Sequence, residues 1–420
     1  MMKLTRHKLS DLYRMSSGIS TSADQAGHGS PFLSFSTIFN NAIVPDELSE
    51  LMDTTHDEQE KFSVKSGDVF LTRTSETLNE LAMSSVALKD YPRATFSGFA
   101  KRLRPLNQAY PYPKYMAFYF RAPFFRKTIE NMTTMTTRAS LNEDLFGLLE
   151  VQVANFEQQK LIGDYLEKIN RLQILNREAN DNLLDCLRTL YCYWFIQFEF
   201  PGIDGAPYKS SGGDMVFSED LGSMIPKGWS VANIVDNPLC DVIMPGVERF
   251  ETKRYYATAD IIGMDIGSGS EIDYQSRESR ANMQPRPNSV WFAKMKDSVK
   301  HLFLCDSMSR IIEDSILSTG FLGLDCKTDA FEYVAAFISG PYFEKAKDQY
   351  ANGATQQAVG NTELEGVKLV VPDKNTLKKF HKTAKPIIEA IGANIMESKG
   401  LENLQDWLLP MLMNGQATIA

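Results

Sequence analysis

The feature that most restricts the fold of this 420-residue chain is an internal repeat. Tyr115 to Lys127 reads YMAFYFRAPFFRK, and about 218 positions later Tyr333 to Lys345 reads YVAAFISGPYFEK, with Tyr, Pro, Phe and Lys in register. The register persists downstream. A Thr-rich loop, Thr133 to Arg138, falls opposite Gly353 to Gln357, and Leu145 to Val153 falls opposite Leu364 to Pro372. A heptad-like apolar segment closes each half, from Phe156 to Phe195 and from Leu377 to Leu412. So long a period excludes a solenoid and predicts two copies of one globular module, each followed by one long helix.

Such modules have enough material for full cores, since 43% of the residues are apolar and 11% aromatic. No apolar run approaches the ~20 residues that span a bilayer, and Met1 to Ser10 (MMKLTRHKLS) lacks the apolar core of a signal peptide. A cytoplasmic location is expected. The five cysteines, Cys186, Cys192, Cys240, Cys305 and Cys326, form no CxxC pair and are matched by no histidine cluster. Neither structural zinc nor a disulfide framework is therefore expected. The formal net charge of -9 argues against a nucleic-acid partner, yet the charges are patchy. Asp46 to Glu60 holds seven acids and no Lys or Arg, whereas Lys89 to Arg138 holds ten bases against two acids and Arg277 to Arg310 seven against three. A run of one sign is ordinarily a solvated face. Its recurrence in both halves points to an anionic partner.

Residues 1–154 read as an α+β module. Strands are expected over Val64–Arg73, Ser84–Leu88, Thr95–Leu103 and Leu148–Val153, and helices over Pro45–Met52 and Lys114–Asn131, with Pro123 breaking the second. From Phe156 the apolar residues Ile162, Leu166, Ile169, Leu172, then Leu183, Leu187, Leu190 and Trp194 recur at spacings of three and four. This predicts a rod within 155–200, ~60 Å long for the ~40 residues from Phe156 to Phe195 at ~1.5 Å per residue. A closing stripe over 374–414 is complementary, with Pro386, Gly392 and Gly400 expected to bend or weaken it. The two stripes are expected to pack on each other, the alternative being that each is a core helix of its own module. Between them, 201–225 reads as a linker rich in Gly, Pro and Ser, and Ile225 to Trp229 (IPKGW) as a turn that drops a Trp into a second module, 226–373.

No catalytic constellation emerges. The chain has no GxGxxG after a strand, no GxxxxGK[ST], no HExxH and no GxSxG, and its five histidines are scattered. It also lacks the Asn/Asp-Pro-Pro-aromatic or Pro-Cys motif of a DNA methyltransferase. Two basic modules without an engine suggest a targeting part. Several segments carry a family resemblance: GDVFLTRTSE at Gly67 to Glu76, MSSVALKDYPRATFSGFAKRLRP at Met83 to Pro105, and FEQQKLIGDYL at Phe156 to Leu166. To these add YCYWFIQFEFP at Tyr191 to Pro201, PYKSSGGDMVF at Pro207 to Phe217, IPKGW, GATQQAV at Gly353 to Val359 and LLPMLMNGQ at Leu408 to Gln416.

Over nearly its whole length the chain resembles the specificity subunit of type I restriction-modification enzymes. The resemblance implies an α+β fold with two similar target recognition domains, each reading one half of a split DNA sequence, separated by two long helices that pair as an antiparallel coiled coil. It implies a non-catalytic subunit that binds double-stranded DNA and recruits two methyltransferase subunits and restriction/translocase subunits. S-adenosylmethionine, ATP and Mg would belong to those partners, with no cofactor in this chain. Two departures stand out: the first module lacks the Pro-x-Gly-Trp turn, and the second helix carries Pro386. A second reading, from a different class, is a structural adaptor whose twin modules bind proteins and whose coiled coil pairs with another chain.

Base reading in the major groove needs paired donors or acceptors, and phosphate contact needs only positive charge or backbone N–H. In the first module this selects Arg73, Thr74 and Ser75 after a strand, Lys101, Arg102 and Arg104 on the next, and Arg138 in the Thr-rich loop. Neighbours along that second strand alternate faces, so only part of the cluster would touch DNA. In the second module it selects Lys253, Arg254, Tyr255, Arg277, Arg280, Arg286, Arg310, Gln356 and Gln357, with Gln356 opposite Arg138 in the repeat.

Overall fold

The computed structural model describes residues 2–75, 77, 80–133, 139–202, 204–353 and 357–419. The chain divides into two compact units, Met1–Leu172 with Leu401–Ala420, and Gln173–Gly400. Both are mixed helix and sheet. The boundaries fall inside the long helices rather than at their ends, so each unit takes in part of both helices.

In the first unit β1 (Thr5–Lys8) pairs antiparallel with β6 (Glu150–Val153). A four-stranded antiparallel sheet is made of β2 (Tyr13–Ser17), β3 (Val69–Thr72), β4 (Ser84–Val86) and β5 (Ala100–Pro105), in the order β2, β5, β3, β4. Within the expected strand Val69 and Leu71 share one face, but both faces of β3 are covered. Val69 and Leu71 enter one core with the aromatic residues of α1 (Pro113–Tyr119) and α2 (Pro123–Met132), while Phe70 enters another with Phe96 and Leu33. A strand buried on both faces has no place for a polar edge, so VFLT is apolar throughout apart from one hydroxyl, which donates to the Glu80 carbonyl. Pro123 separates α1 from α2 as expected, each helix starting on its own proline. The expected helix over Pro45–Met52 is absent: Leu51–Met52 forms a strand against Ser30 and Pro31, and the Tyr91 hydroxyl holds the Val44 and Pro45 carbonyls at 2.9 Å. Non-local pairing overrode a weak local pattern.

The second unit repeats this topology. Strand β7 (Ser230–Asn233) pairs with β12 (Lys368–Val371), and β8 (Cys240–Ile243), β9 (Ser289–Ala293), β10 (His301–Leu304) and β11 (Phe321–Cys326) form a sheet in the order β8, β11, β9, β10. Helices α4 (Phe331–Ser339) and α5 (Pro341–Tyr350) follow, again parted by a proline. The central registers correspond as well: Val69 faces Leu103 and Thr72 faces Ala100 in one copy, Val290 faces Leu324 and Ala293 faces Phe321 in the other. The copies differ most in the accessory sheet. Here it has four strands, with Lys253–Tyr256 between Ser270–Ile272 and a parallel Ser315–Ser318. The Pro226-Lys-Gly-Trp turn anchors this unit as expected: Gly228 adopts a φ of 89°, and Trp229 is buried against Phe200 with its indole N–H donated to Asp373 at 3.0 Å. The stretch 201–225 is not merely a linker, since Met215–Ser218 and Ser223–Pro226 form a hairpin.

The long helices are α3 (Phe156–Tyr191), which ends in a π-turn over Cys192–Ile196, and α6 (Lys374–Met413). Helix α6 runs through Pro386, Gly392 and Gly400 without a break. Pro386 lies on its exposed face, where a carbonyl deprived of its helix donor meets water. Within the first unit Ile162, Leu166 and Ile169 of α3 share a core with Leu409, Leu412 and Met413 of α6. Within the second, Asn176 donates to Glu397 at 2.8 Å, Asn394 to Asn180 at 2.9 Å, and Trp194 meets Phe380 edge-on at 5.5 Å. That sequence of contacts is antiparallel. Two glycines permit close approach: a Cβ on Gly163 would lie 2.6 Å from the Tyr115 nitrogen, and one on Gly392 2.7 Å from the Cys305 sulfur.

Candidate nucleic-acid interface

Much of the basic stretch of the first unit is tied to the unit's own acceptors. Lys101 is 7% exposed and donates to Ser17 Oγ across the β2–β5 pair at 2.9 Å. Arg102 is 8% exposed, donates to the Ser63 carbonyl at 2.7 Å and lies 5.2 Å over the Phe96 ring. Burial pushes its pKa down to about 10, helped by neighbouring Arg104. Arg104 makes a two-pronged pair with the fully buried Asp68, Nε to Oδ1 at 2.8 Å and Nη2 to Oδ2 at 2.6 Å. These three are therefore corrected from DNA-facing candidates to framework residues. Faces alternate along β5 as expected, but both faces are covered. Arg121 binds the carbonyls of Ser84 and Phe39, Lys89 pairs with Asp46, and Lys114 with Asp164 and Glu167. Ser75 is likewise turned inward, its hydroxyl donating to Glu80 at 3.1 Å. Thr74 is half-buried opposite Ser140.

Arg73 is different. It is exposed, and its side chain has no hydrogen-bond or ion-pair partner among the described residues. Its backbone is nonetheless firmly held: the N–H donates to the Phe99 carbonyl and the carbonyl accepts from Leu141, both at 2.8 Å. Phe99 itself is 67% exposed, an unusual place for an aromatic ring, so a cation and a bare apolar face emerge side by side. Arg138 and Gln356 lie outside the described residues.

In the second unit Tyr255 is buried with Ala281 and Ile316 and is corrected to a core residue. Lys253 donates to Gln284 at 2.9 Å, burial holding its pKa below the usual lysine value. Arg277 lies 4.2 Å over the Tyr274 ring and donates to that residue's carbonyl. Arg254 is exposed and reaches the Ser268 carbonyl, while Arg286 pairs with Asp325 at 2.8 Å and Arg310 with Asp314 at 4.0 Å. Gln357 is exposed and accepts from Lys296 at 3.0 Å. Arg280 is exposed without a side-chain partner among the described residues, its Nη2 lying 3.4 Å from where a Cβ of Gly320 would sit.

Sequence reasoning passed over Lys294, which closes β9. It is half-buried, has no side-chain partner among the described residues, and has its pKa lowered by burial and then by the charge of Arg280. Its backbone N–H donates to the Gly320 carbonyl at 2.9 Å, so Gly320 sits between the Lys294 backbone and the Arg280 guanidinium. The signal was available: carrying the repeat upstream sets SGDVFLTR at Ser66 to Arg73 against PNSVWFAK at Pro287 to Lys294. What these surfaces offer chemically is positive charge on a rigid sheet end, suited to an anion.

No family model matches the chain. It is 21% identical over 386 residues, 84% of its own length and 84% of the relative's, to the type I restriction enzyme MjaIX specificity subunit of Methanocaldococcus jannaschii. Among solved structures it is similar to the type I restriction-modification system S subunit from M. genitalium, with a TM-score of 0.50 at 12% identity, covering 98% of this chain and 96% of that one. In sequence and in fold alike, the chain resembles type I specificity subunits.

Proposed function

We propose that this chain is the specificity subunit of a type I restriction-modification system, a non-catalytic DNA-binding protein whose two repeated units each read one half of a split target. The observation that carries the reading is the repeat: one topology built twice, in a chain that resembles a specificity subunit over 84% of its length. Helices α3 and α6 set the unread gap between the half-sites. The chain recruits two methyltransferase subunits and, with them, restriction/translocase subunits; S-adenosylmethionine, ATP and Mg act in those partners. Work on chromosomal DNA places the assembly in the cytoplasm.

The test is sequencing of methylated bases in host DNA with and without this chain. Two short methylated half-sites around a fixed gap should be present with the chain and vanish without it. A methylation pattern that survives deletion of the chain would sink the reading.

A further inference from the structure

We infer that Arg73 and Lys294 are one position built twice, each holding a backbone phosphate of its own half-site, with Arg280 as a second cation beside Lys294. The inference rests on the DNA reading proposed above and adds to it the residues that anchor each unit. Three observations converge on the pair.

The first is positional. Each residue follows directly on the central strand, β3 or β9, and each donates its N–H to the residue just before the neighbouring strand, Arg73 to Phe99 and Lys294 to Gly320. Each carbonyl then accepts from just beyond the Thr-rich loop or its counterpart in the repeat, from Leu141 in one copy and from Val359 in the other. Both backbone groups are fixed, so each side chain starts from a rigid base.

The second is electrostatic isolation. Around these positions the other cations are committed: Lys101 to Ser17, Arg104 to Asp68, Lys296 to Gln357, and Lys300 to the Thr258 carbonyl. Arg73 and Lys294 have no such partner among the described residues. Beside Lys294 a second cation, the guanidinium of Arg280, adds like charge. A half-buried cation with an exposed one beside it favours an anion between or above them.

The third is steric. At Gly320 an added Cβ would meet Thr258 Cγ2 at 2.7 Å and Arg280 Nη2 at 3.4 Å, so the sheet end lies close beneath the Arg280 guanidinium. Phosphate is the favoured anion over a carboxylate peptide because the site occurs twice, once per repeat, as the two half-sites of a duplex require.

The experiment measures binding of the full chain, in complex with its methyltransferase partner, to its methylated motif and to a random-sequence duplex pool over a range of salt. Arg73→Ala and Lys294→Ala should each weaken binding to both duplexes alike, roughly eightfold near 0.1 M salt, and reduce the log–log salt slope by about 0.9. The double variant should show twice the slope change. Lys294→Arg and Arg73→Lys, which keep the charge, should restore the wild-type slope, a result that a merely structural role would not give. Unchanged slopes in well-folded single variants, while the wild type binds, would overturn the inference alone. Weakening confined to the specific motif with the slope intact would replace phosphate contact by base reading, and so overturn it too. Failure of the wild type to bind either duplex at low salt would instead overturn the DNA reading beneath it.

Discussion

At the scale of single residues, the charge run between Lys89 and Arg138 illustrates how little a sequence says about where a charge points. Arg104 and Asp68 stand 36 residues apart and meet only because β3 and β5 are neighbours. Replacing Arg104 with Ala leaves a fully buried carboxylate with, among the described residues, only the Lys65 N–H to hold it. The expected loss is about 3 kcal/mol, the low end for a broken buried pair because Arg104 itself is about a third exposed. Denaturant unfolding of Arg104→Ala against wild type measures it. A second cluster makes a pH prediction. Burial alone would raise the Glu344 carboxyl, but contacts at 2.7 Å from His301 and from the fully buried Lys347 outweigh it and hold its pKa below the usual glutamate value. A depressed carboxylate pKa contributes stability that is fully present above the unfolded value, about 4.3, and is lost as pH falls through the lower folded value. Acid titration of stability should therefore be shallower in Glu344→Gln than in wild type, and Glu344→Gln should be less stable at neutral pH, where Lys347 loses its nearer carboxylate.

At the scale of elements, α6 tests what governs glycine in a helix. Gly392 faces Cys305 and Met308, where a methyl group has no room, whereas Gly400 faces open space. Gly392→Ala should cost about 1–3 kcal/mol by overpacking. Gly400→Ala should gain up to ~1 kcal/mol from helix propensity. Thermal melts of the two variants should shift in opposite directions; equal shifts would mean that packing does not decide. The asparagines between α3 and α6 are a third case. Asn180 is buried and accepts from Asn394, so Asn180→Ala should cost about 1–2 kcal/mol by stranding a donor. The helices themselves were legible, because a 3.5-residue apolar period over 36 and 40 residues admits no other element. That Pro386 does not interrupt α6 was not legible, since the outcome depends on which face the proline takes.

At the scale of the whole molecule, the prediction follows from the proposed ruler role of the helices. A heptad inserted into α3 with a matching heptad in α6 adds ~10 Å at ~1.5 Å per residue, close to three base-pair steps of ~3.4 Å. Methylation sequencing should then report the same half-sites around a gap longer by about three base pairs. An unchanged gap would refute the ruler. Repetition, helix period, the proline between α1 and α2 and the Trp229 turn were all readable along the chain, because each is written in residues close together or in a pattern that recurs. The division of cations into framework and surface was not. Partners such as Trp229 and Asp373, 144 residues apart, are brought together only by strand order. Burial is a property of what packs on a side chain rather than of the side chain, so only the folded sheets separate Arg102, sealed over Phe96, from Arg73, left open at the end of β3.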